Sequence, residues 1–202
     1  MVVRTIAVIG ASAVGREIAY AAALAGYQTI VEDVVSSRLD QAIAWISQTL
    51  DADAAQRRVG ESVRNAALAN LSTARTVEDA VREADLIIET VTEEIEMKIE
   101  LFTIFDKFAK PGAILASSAS TLSITEMAAV TFCAERCIGM RFVETDSGAK
   151  RLELVRGLET SDETVAICRE AGLRMGRDVA VVRESNAGAG GYAEMKSAGA
   201  QD

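Results

Sequence analysis

The chain has 202 residues, of which half are apolar and a quarter are charged, a composition typical of a globular protein with a substantial core. Its net charge of −9 argues against a nucleic-acid partner and against an anionic membrane, and no apolar run is long enough to span a bilayer. Histidine is absent, so every mechanism that uses a histidine base is excluded within this chain.

The cysteines and the N-terminus indicate the compartment. Cys133, Cys137 and Cys168 are an odd number of thiols, which favours a reducing environment, and no signal peptide precedes the first strand. We therefore expect a cytoplasmic location. Cys133 and Cys137 are spaced to share a helical face, but without histidine or further cysteine they indicate buried or bystander thiols, and we expect no metal site.

The first 33 residues have the layout of a dinucleotide-binding βαβ unit. An apolar strand, Thr5–Ile9, runs into the glycine turn Gly10–Gly15, a small-residue helix follows, and a second strand, Gln28–Glu32, ends at Asp33. In such units the glycines permit the turn, N–H groups at the helix start bind a pyrophosphate, and the acidic residue binds the adenosine ribose. An ordinary turn between a strand and a helix is the alternative reading of this pattern.

Two features of this unit bear on which dinucleotide binds. Ser12 stands where the middle glycine of the motif belongs, and its Cβ and hydroxyl either weaken phosphate binding or supply a replacement hydrogen bond. Glu32 and Asp33 form an acidic pair that would repel a 2′-phosphate. The sequence therefore favours NAD over NADP.

Strands and helices alternate along the rest of the chain. Helical periodicity over Arg38–Leu50, and again from Asp51–Asp53 to Leu71, predicts a helical hairpin inserted between strands. Further strands are predicted at Leu86–Glu89, Ala113–Ala116, Cys137–Phe142, Arg151–Arg156 and Asp178–Val182, and further helices after Thr76, over Glu93–Phe108, after Ser123 and from Thr160–Glu163. The predicted fold is α/β: a Rossmann-type, doubly wound, mainly parallel sheet over residues 1–184, followed by a Gly-rich tail over 185–202.

Taken together, these motifs resemble the N-terminal NAD-binding domain of the 3-hydroxyacyl-CoA dehydrogenase family. The likeness covers about residues 4–185 and is best over 6–15, 84–102, 112–125 and 154–164. It implies NAD as cofactor and an acyl thioester, bound to CoA or to a carrier protein, as substrate. The cofactor-binding residues that it implies are Gly10, Ser12, Ala13, Val14, Gly15, Asp33, Thr90, Glu93, Lys98 and Ser120.

The arginines of the helical hairpin, Arg57, Arg58 and Arg64, fall where this family meets coenzyme A. Two readings of these residues stay open. They form either a solvated face of the hairpin or an anion-binding face.

The catalytic segment departs from the family. In the family, the corresponding strand contains a His that acts as acid and base and is oriented by a Glu twelve residues later. In this chain Arg141 stands at the position of the His, Glu144 at that of an Asn and Thr145 at that of a Pro. The partner carboxylate is retained as Glu153. Guanidinium stays protonated at neutral pH and cannot accept the hydroxyl proton. Arg141 therefore either forms an ion pair or contacts substrate, and the candidate catalytic residues are Ser120, Glu153 and Arg141.

Two functions are compatible with these residues. In the family a helical domain follows this one, closing the substrate cleft and forming the dimer interface, and residues 185–202 stand in its place here; a homodimer or a separate lid chain would then complete the site. The first hypothesis is an NAD-dependent oxidoreductase of 3-hydroxyacyl-CoA dehydrogenase type with weak or impaired activity. The second is a catalytically silent NAD-binding module, or pseudoenzyme.

Overall fold

The computed structural model describes residues 2–144 and 148–184 and the backbone of residues 193–194. Strands alternate with helices over these ranges. The strands are β1 (Thr5–Ile9), β2 (Gln28–Glu32), β3 (Leu71–Thr73), β4 (Leu86–Glu89), β5 (Ile114–Ser117), β6 (Cys137–Glu144), β7 (Lys150–Arg156), β8 (Asp178–Arg183) and β9 (Ala193–Glu194). The helices are α1 (Ala13–Leu24), α2 (Ser36–Ala55), α3 (Glu61–Ala69), α4 (Val77–Val81), α5 (Ile95–Phe108), α6 (Ile124–Ala128) and α7 (Asp162–Arg174).

All of these strands belong to one sheet, in the order β3-β2-β1-β4-β5-β6-β7-β8-β9. The strands from β3 to β6 run parallel, β7 is antiparallel to β6, β8 is parallel to β7, and β9 is antiparallel to β8. The order reverses at β1, from which the chain builds one half of the sheet outward to β3 and then crosses back to β4. The predicted doubly wound, mainly parallel Rossmann-type sheet is confirmed.

The core lies on both faces of this sheet because successive side chains of each strand point to opposite sides. Ile6 and Val8 of β1 belong to a buried cluster shared with α1, α2 and α7. Ala7 and Ile9 belong to the cluster on the other face, with α4, α5 and α6. Strands buried on both faces must be apolar along their whole length, which is why these segments stand out in the sequence.

The inserted hairpin differs from its predicted form. The predicted break at Asp51–Asp53 is wrong, since α2 continues to Ala55. Asp53 accepts a hydrogen bond from the hydroxyl of Tyr20 on α1, so its side chain joins two helices instead of capping a new one. The second helix begins after Gly60, and Leu71 lies in the short edge strand β3 and not in that helix.

The predicted start signals of two short helices are confirmed. The hydroxyl of Thr76 accepts a hydrogen bond from Asp79 N (3.2 Å) at the start of α4, and the hydroxyl of Ser123 accepts one from Glu126 N (3.1 Å) at the start of α6. Each satisfies an N–H group that the helix itself leaves without a partner. None of the helices within the described ranges is long and apolar enough to cross a lipid bilayer.

Two predicted features fall on residues for which the structure gives no description. The predicted Gly-rich tail lies outside the described residues, apart from the backbone of Ala193–Glu194, which pairs with β8. Thr145, at the position of the family's proline, also lies outside them. The three cysteines are buried and free.

Candidate active site

The site lies where the strand order reverses, at the carboxyl ends of β1 and β4. The pairing register aligns the last residues of four neighbouring strands in one row across the sheet, Glu32, Ile9, Glu89 and Ser117, and the row continues to Gly139 within β6. The loops that follow these residues therefore emerge side by side. In open α/β sheets this crevice is where ligands bind.

The glycine turn after β1 is locked against the loop after β4. A Cβ on Gly10, which has a φ of +104°, would lie 2.9 Å from Oγ1 of Thr90, and a Cβ on Gly15 would lie 1.9 Å from the carbonyl oxygen of Gly10. The Thr90 hydroxyl donates a hydrogen bond to that carbonyl (2.8 Å). Only glycine fits at both positions, because Thr90 packs against the turn and its hydroxyl binds the Gly10 carbonyl.

The start of α1 offers N–H donors to an anion. Ser12 is the N-cap, and its hydroxyl accepts a hydrogen bond from Gly15 N at 3.2 Å. The N–H groups of Ala13 and Val14 belong to the first turn, where no carbonyl of the helix reaches them. The Ser12 hydroxyl thus accepts the N–H of Gly15, which is one of the donors of the turn. Whether Ser12 weakens phosphate binding or supplies a replacement hydrogen bond stays open. The other first-turn donors fit a pyrophosphate.

Asp33 is held at the junction between β2 and this turn. Its Oδ2 accepts a hydrogen bond from Ala11 N (2.8 Å) and its Oδ1 accepts one from Val35 N (2.8 Å). It lines a cleft of about 380 Å³ whose walls are mainly apolar, among them Val34, Met97 and Leu101. A fixed carboxylate at one end of an apolar slot suits an adenosine, whose base is a flat aromatic ring that stacks on apolar side chains and whose ribose carries hydroxyl donors.

Glu93 holds the loop that carries Ser120. Its Oε1 accepts hydrogen bonds from Ser120 N (2.7 Å) and Thr121 N (2.9 Å), and from the two hydroxyls of the same residues. Burial alone would raise the pKa of Glu93, but the hydrogen bonds from Thr121 and Ser120 lower it below its usual value. Glu93 is therefore an ionised clamp between the β4 and β5 loops.

A buried ion pair supports the same two loops from below. Lys98 Nζ lies 2.7 and 2.9 Å from the carboxylate oxygens of Glu89, and the Ser117 hydroxyl donates to that carboxylate at 2.7 Å. Both charged side chains are fully buried. The predicted contact of Lys98 with the cofactor stays a prediction. What the structure adds is a positioning role, because Lys98 also donates to the carbonyl of Val91 (3.3 Å).

The three predicted catalytic residues meet at one place. Arg141 lies opposite Glu153 in the β6–β7 register, and the two side chains form an ion pair. Arg141 Nη1 also donates to the backbone carbonyl of Ser120 at 3.0 Å. Of the two alternatives for Arg141, the structure shows the ion pair. About a fifth of each charged side chain, 21% of Arg141 and 20% of Glu153, is exposed.

Sequence reasoning missed two parts of this site. The contact from Arg141 to the Ser120 carbonyl depends on the path of a loop and has no sequence signal. The network around Glu89 had a signal, because an acidic residue that ends an otherwise apolar strand needs a buried partner.

The hairpin arginines are largely satisfied locally. Arg58 pairs with Asp53 at 3.3 Å, and Arg64 pairs with Asp51. Arg57 has a φ of 57° at the turn after α2. These pairings support the solvated-face reading, while the predicted coenzyme A contact stays untested.

These features define a dinucleotide-binding domain of Rossmann type, and the comparisons with known proteins give its relatives. Residues 5–185 match the family described as 3-hydroxyacyl-CoA dehydrogenase, NAD binding domain. The 3-hydroxybutyryl-CoA dehydrogenase of Bradyrhizobium diazoefficiens is 36% identical over 89% of this chain and 61% of its own length. A probable 3-hydroxybutyryl-CoA dehydrogenase of Bacillus subtilis is 34% identical over 91% of this chain and 64% of its own length. The solved (S)-3-hydroxybutyryl-CoA dehydrogenase of Ralstonia eutropha has a TM-score of 0.84 at 31% identity, over 91% of this chain and 64% of that one.

The chain belongs to the 3-hydroxyacyl-CoA dehydrogenase family and contains its NAD-binding domain. The predicted family and the predicted cofactor, NAD, are thereby confirmed. The chain spans less than two thirds of the length of the two curated relatives, 61% and 64%.

Proposed function

We propose that this chain binds NAD in the cleft at the end of β1 and serves in hydride transfer between NAD and a 3-hydroxyacyl thioester or a related hydroxy acid. The single observation that carries this is the glycine turn fixed to Asp33, through the Ala11 N–H, at the reversal point of the sheet. Asp33 would hold the adenosine ribose, and the N–H groups of Ala13 and Val14 would hold the pyrophosphate. Ser120, on the loop fixed by Glu93, would lie beside the nicotinamide and the substrate.

NAD, when bound, supplies the hydride acceptor for an alcohol or, when reduced, the hydride donor for a ketone. The residues of this chain must then handle the hydroxyl proton. Arg141 cannot accept it, so Glu153, or Ser120 together with water, is left as the acceptor. Losing a well-matched general base costs about 10²–10⁴ in rate. We therefore propose weak activity on acyl thioesters carried by CoA or by a carrier protein.

A second candidate function is a silent NAD-binding module, and the Arg141–Glu153 pair favours it. The carboxylate of Glu153 is engaged by Arg141, a cation that cannot itself accept the hydroxyl proton. In both candidates the cofactor half of the site is unchanged. The two differ only in turnover.

We propose that residues outside 2–184 close the substrate pocket. A longer form of this chain, a second copy in a homodimer, or a separate lid chain would each supply them. The proposal also places the protein in the cytoplasm, which the three free cysteines support.

The experiment is a fluorescence titration with NADH together with an assay of acetoacetyl-CoA reduction by the purified chain. We expect a dissociation constant between about 1 μM and 1 mM, corresponding to a binding free energy of roughly −4 to −8 kcal/mol. Slow but measurable turnover supports the oxidoreductase, and binding without turnover supports the silent module. No binding at about 1 mM NADH would overturn both.

A further inference from the structure

A second acidic residue lines the cofactor cleft beside Asp33. Glu32 ends β2, opposite Ile9 of β1, and its side chain is on the same face of the sheet as Ile30, toward α4 and α5. Only 2% of the residue is exposed, yet it contributes to the wall of the 380 Å³ cleft. Glu32 therefore faces the space that the adenosine half of NAD would occupy.

The carboxyl of Glu32 differs from the buried carboxyls at the two ends of β4. Glu89 is paired with Lys98, and Asp85 binds two backbone N–H groups and Lys110. Within the described residues, no hydrogen bond or ion pair reaches the side chain of Glu32. Its carboxyl oxygens open onto the cleft and are not buried atoms left without a partner. A carboxyl that no protein side chain contacts, on the wall of a ligand cleft, is available to hydrogen-bond a ligand.

The charges around this carboxyl are mostly negative. Asp33 follows it directly after β2, Glu78 approaches from α4, and Glu100 of α5 lines the same cleft. Arg38 of α2 is the cation among the cleft-lining residues of the described chain. Burial, reinforced by Asp33 and Glu78, raises the pKa of Glu32 to about 7.

We propose that Glu32 contacts the adenosine half of NAD as a neutral carboxylic acid, donating its O–H to an acceptor of the adenine or the ribose. This rests on the proposed NAD-binding function and adds a second polar contact to that of Asp33. A neutral carboxylic acid can donate one hydrogen bond, whereas a carboxylate only accepts. An ionised Glu32 would also add negative charge beside Asp33, next to a ligand that carries a pyrophosphate.

The affinity for the cofactor then depends on pH. Binding favours the protonated form of Glu32, so affinity is highest at low pH and falls as the pH rises through the pKa of Glu32. If only that form binds, the dissociation constant rises about tenfold between pH 6 and pH 8. Partial binding by the ionised form reduces this factor.

The test is a series of NADH titrations from about pH 6 to pH 8 on the full chain and two variants. We expect the dissociation constant of the wild type to rise severalfold with pH and that of Glu32→Gln to stay constant. The control is Glu96→Gln, an exposed acid of α5 outside the cleft lining, which should follow the wild type. An infrared difference spectrum of the NADH complex should show the C=O band of a protonated carboxyl, lost in Glu32→Gln.

The outcomes distinguish a failure of the proposed Glu32 contact from a failure of the proposed NAD-binding function. A wild-type affinity that does not change with pH, or a pH slope that Glu32→Gln retains, overturns the role of Glu32 and leaves NAD binding intact. Absence of NADH binding at every pH overturns the proposed function itself. If Glu32→Gln fails to fold, Glu78→Gln provides the test, because removing a neighbouring negative charge lowers the pKa of Glu32. The midpoint of the pH curve must then move to lower pH, and an unmoved midpoint counts against the inference.

Discussion

Arg141 and Glu153 lie directly opposite each other on the antiparallel strands β6 and β7, and their side chains form an ion pair beside the Ser120 loop. Resemblance to the family predicts its catalytic His at the first of these positions and the orienting Glu at the second. The chain thus keeps the geometry of an acid–base pair, since two side chains still face each other on neighbouring strands. The proton chemistry differs, because guanidinium does not titrate near neutral pH.

Arg141→His tests whether this geometry is sufficient for catalysis. An imidazole opposite Glu153 would provide a group with a pKa near 7, whose protonated form can donate the proton that the alkoxide takes up after hydride transfer. We therefore expect acetoacetyl-CoA reduction to rise by about 10²-fold over the wild type. Arg141→Lys is the matched control, because it keeps a positive charge without a base near neutral pH. Equal rates for the two variants would show that the missing base does not limit turnover.

Asp33→Asn tests the ribose contact with little change of shape. The amide can still accept one hydrogen bond from Ala11 or Val35, but its negative charge is lost. Charge-assisted hydrogen bonds are worth roughly 1.5–3 kcal/mol, so we expect NADH affinity to fall by about ten- to a hundredfold. Glu96→Gln, an exposed acid of α5 outside the cleft lining, should leave NADH binding unchanged at neutral pH. If Asp33→Asn binds NADH with wild-type affinity, the proposed contact between Asp33 and the ribose is wrong.

The elements that could be predicted from the sequence are those with strong local signals. The predicted bounds of β1 and β2 match the observed ones, because each strand is a short run rich in β-branched residues that ends at a glycine or an acidic residue. β3 was not predicted, since three residues at a sheet edge carry no periodicity. The boundary of α2 was wrong because Asp53 resembles a helix cap, while its actual partner, Tyr20, is 33 residues away.

The candidate site shows the same division. The position of Asp33 follows from spacing, and that of Arg141 follows from alignment with a known motif. The burial of Glu32 and of the Glu89–Lys98 pair depends on how α4 and α5 pack over the strand ends. Sequence patterns indicate which faces are apolar, but they do not show which polar side chain is enclosed at the rim of a cleft.

Glu32 also makes the stability of the free protein depend on pH. Its pKa is raised from an ordinary 4.5 to about 7, so the stability present below about pH 4.5 is lost as the pH rises through about 7. Glu32→Gln removes this loss, and we expect it to raise the free energy of unfolding by roughly 2–5 kcal/mol at pH 8 and by almost nothing at pH 4. Urea denaturation at both pH values measures the difference. A difference that is the same at both would mean that Glu32 does not titrate in this range.

The buried pair of Glu89 and Lys98 allows a test of whether Lys98 supports the site or contacts the cofactor. Lys98→Met leaves the Glu89 carboxylate buried without its cation, and such losses cost about 3–5 kcal/mol. Combining it with Glu89→Gln removes both charges, so we expect the double variant to be more stable than Lys98→Met alone. Urea denaturation of the wild type and the three variants measures this coupling.

NADH titration of the same double variant then separates the two roles of Lys98. If Lys98 only positions the loops, restoring the fold with a neutral pair should restore NADH affinity to within about threefold of the wild type. Glu89→Gln alone is the control for the loss of the hydrogen bond from Ser117. If the double variant is as stable as the wild type but binds NADH more than about tenfold more weakly, Lys98 contacts the cofactor, as its place in the family motif predicts.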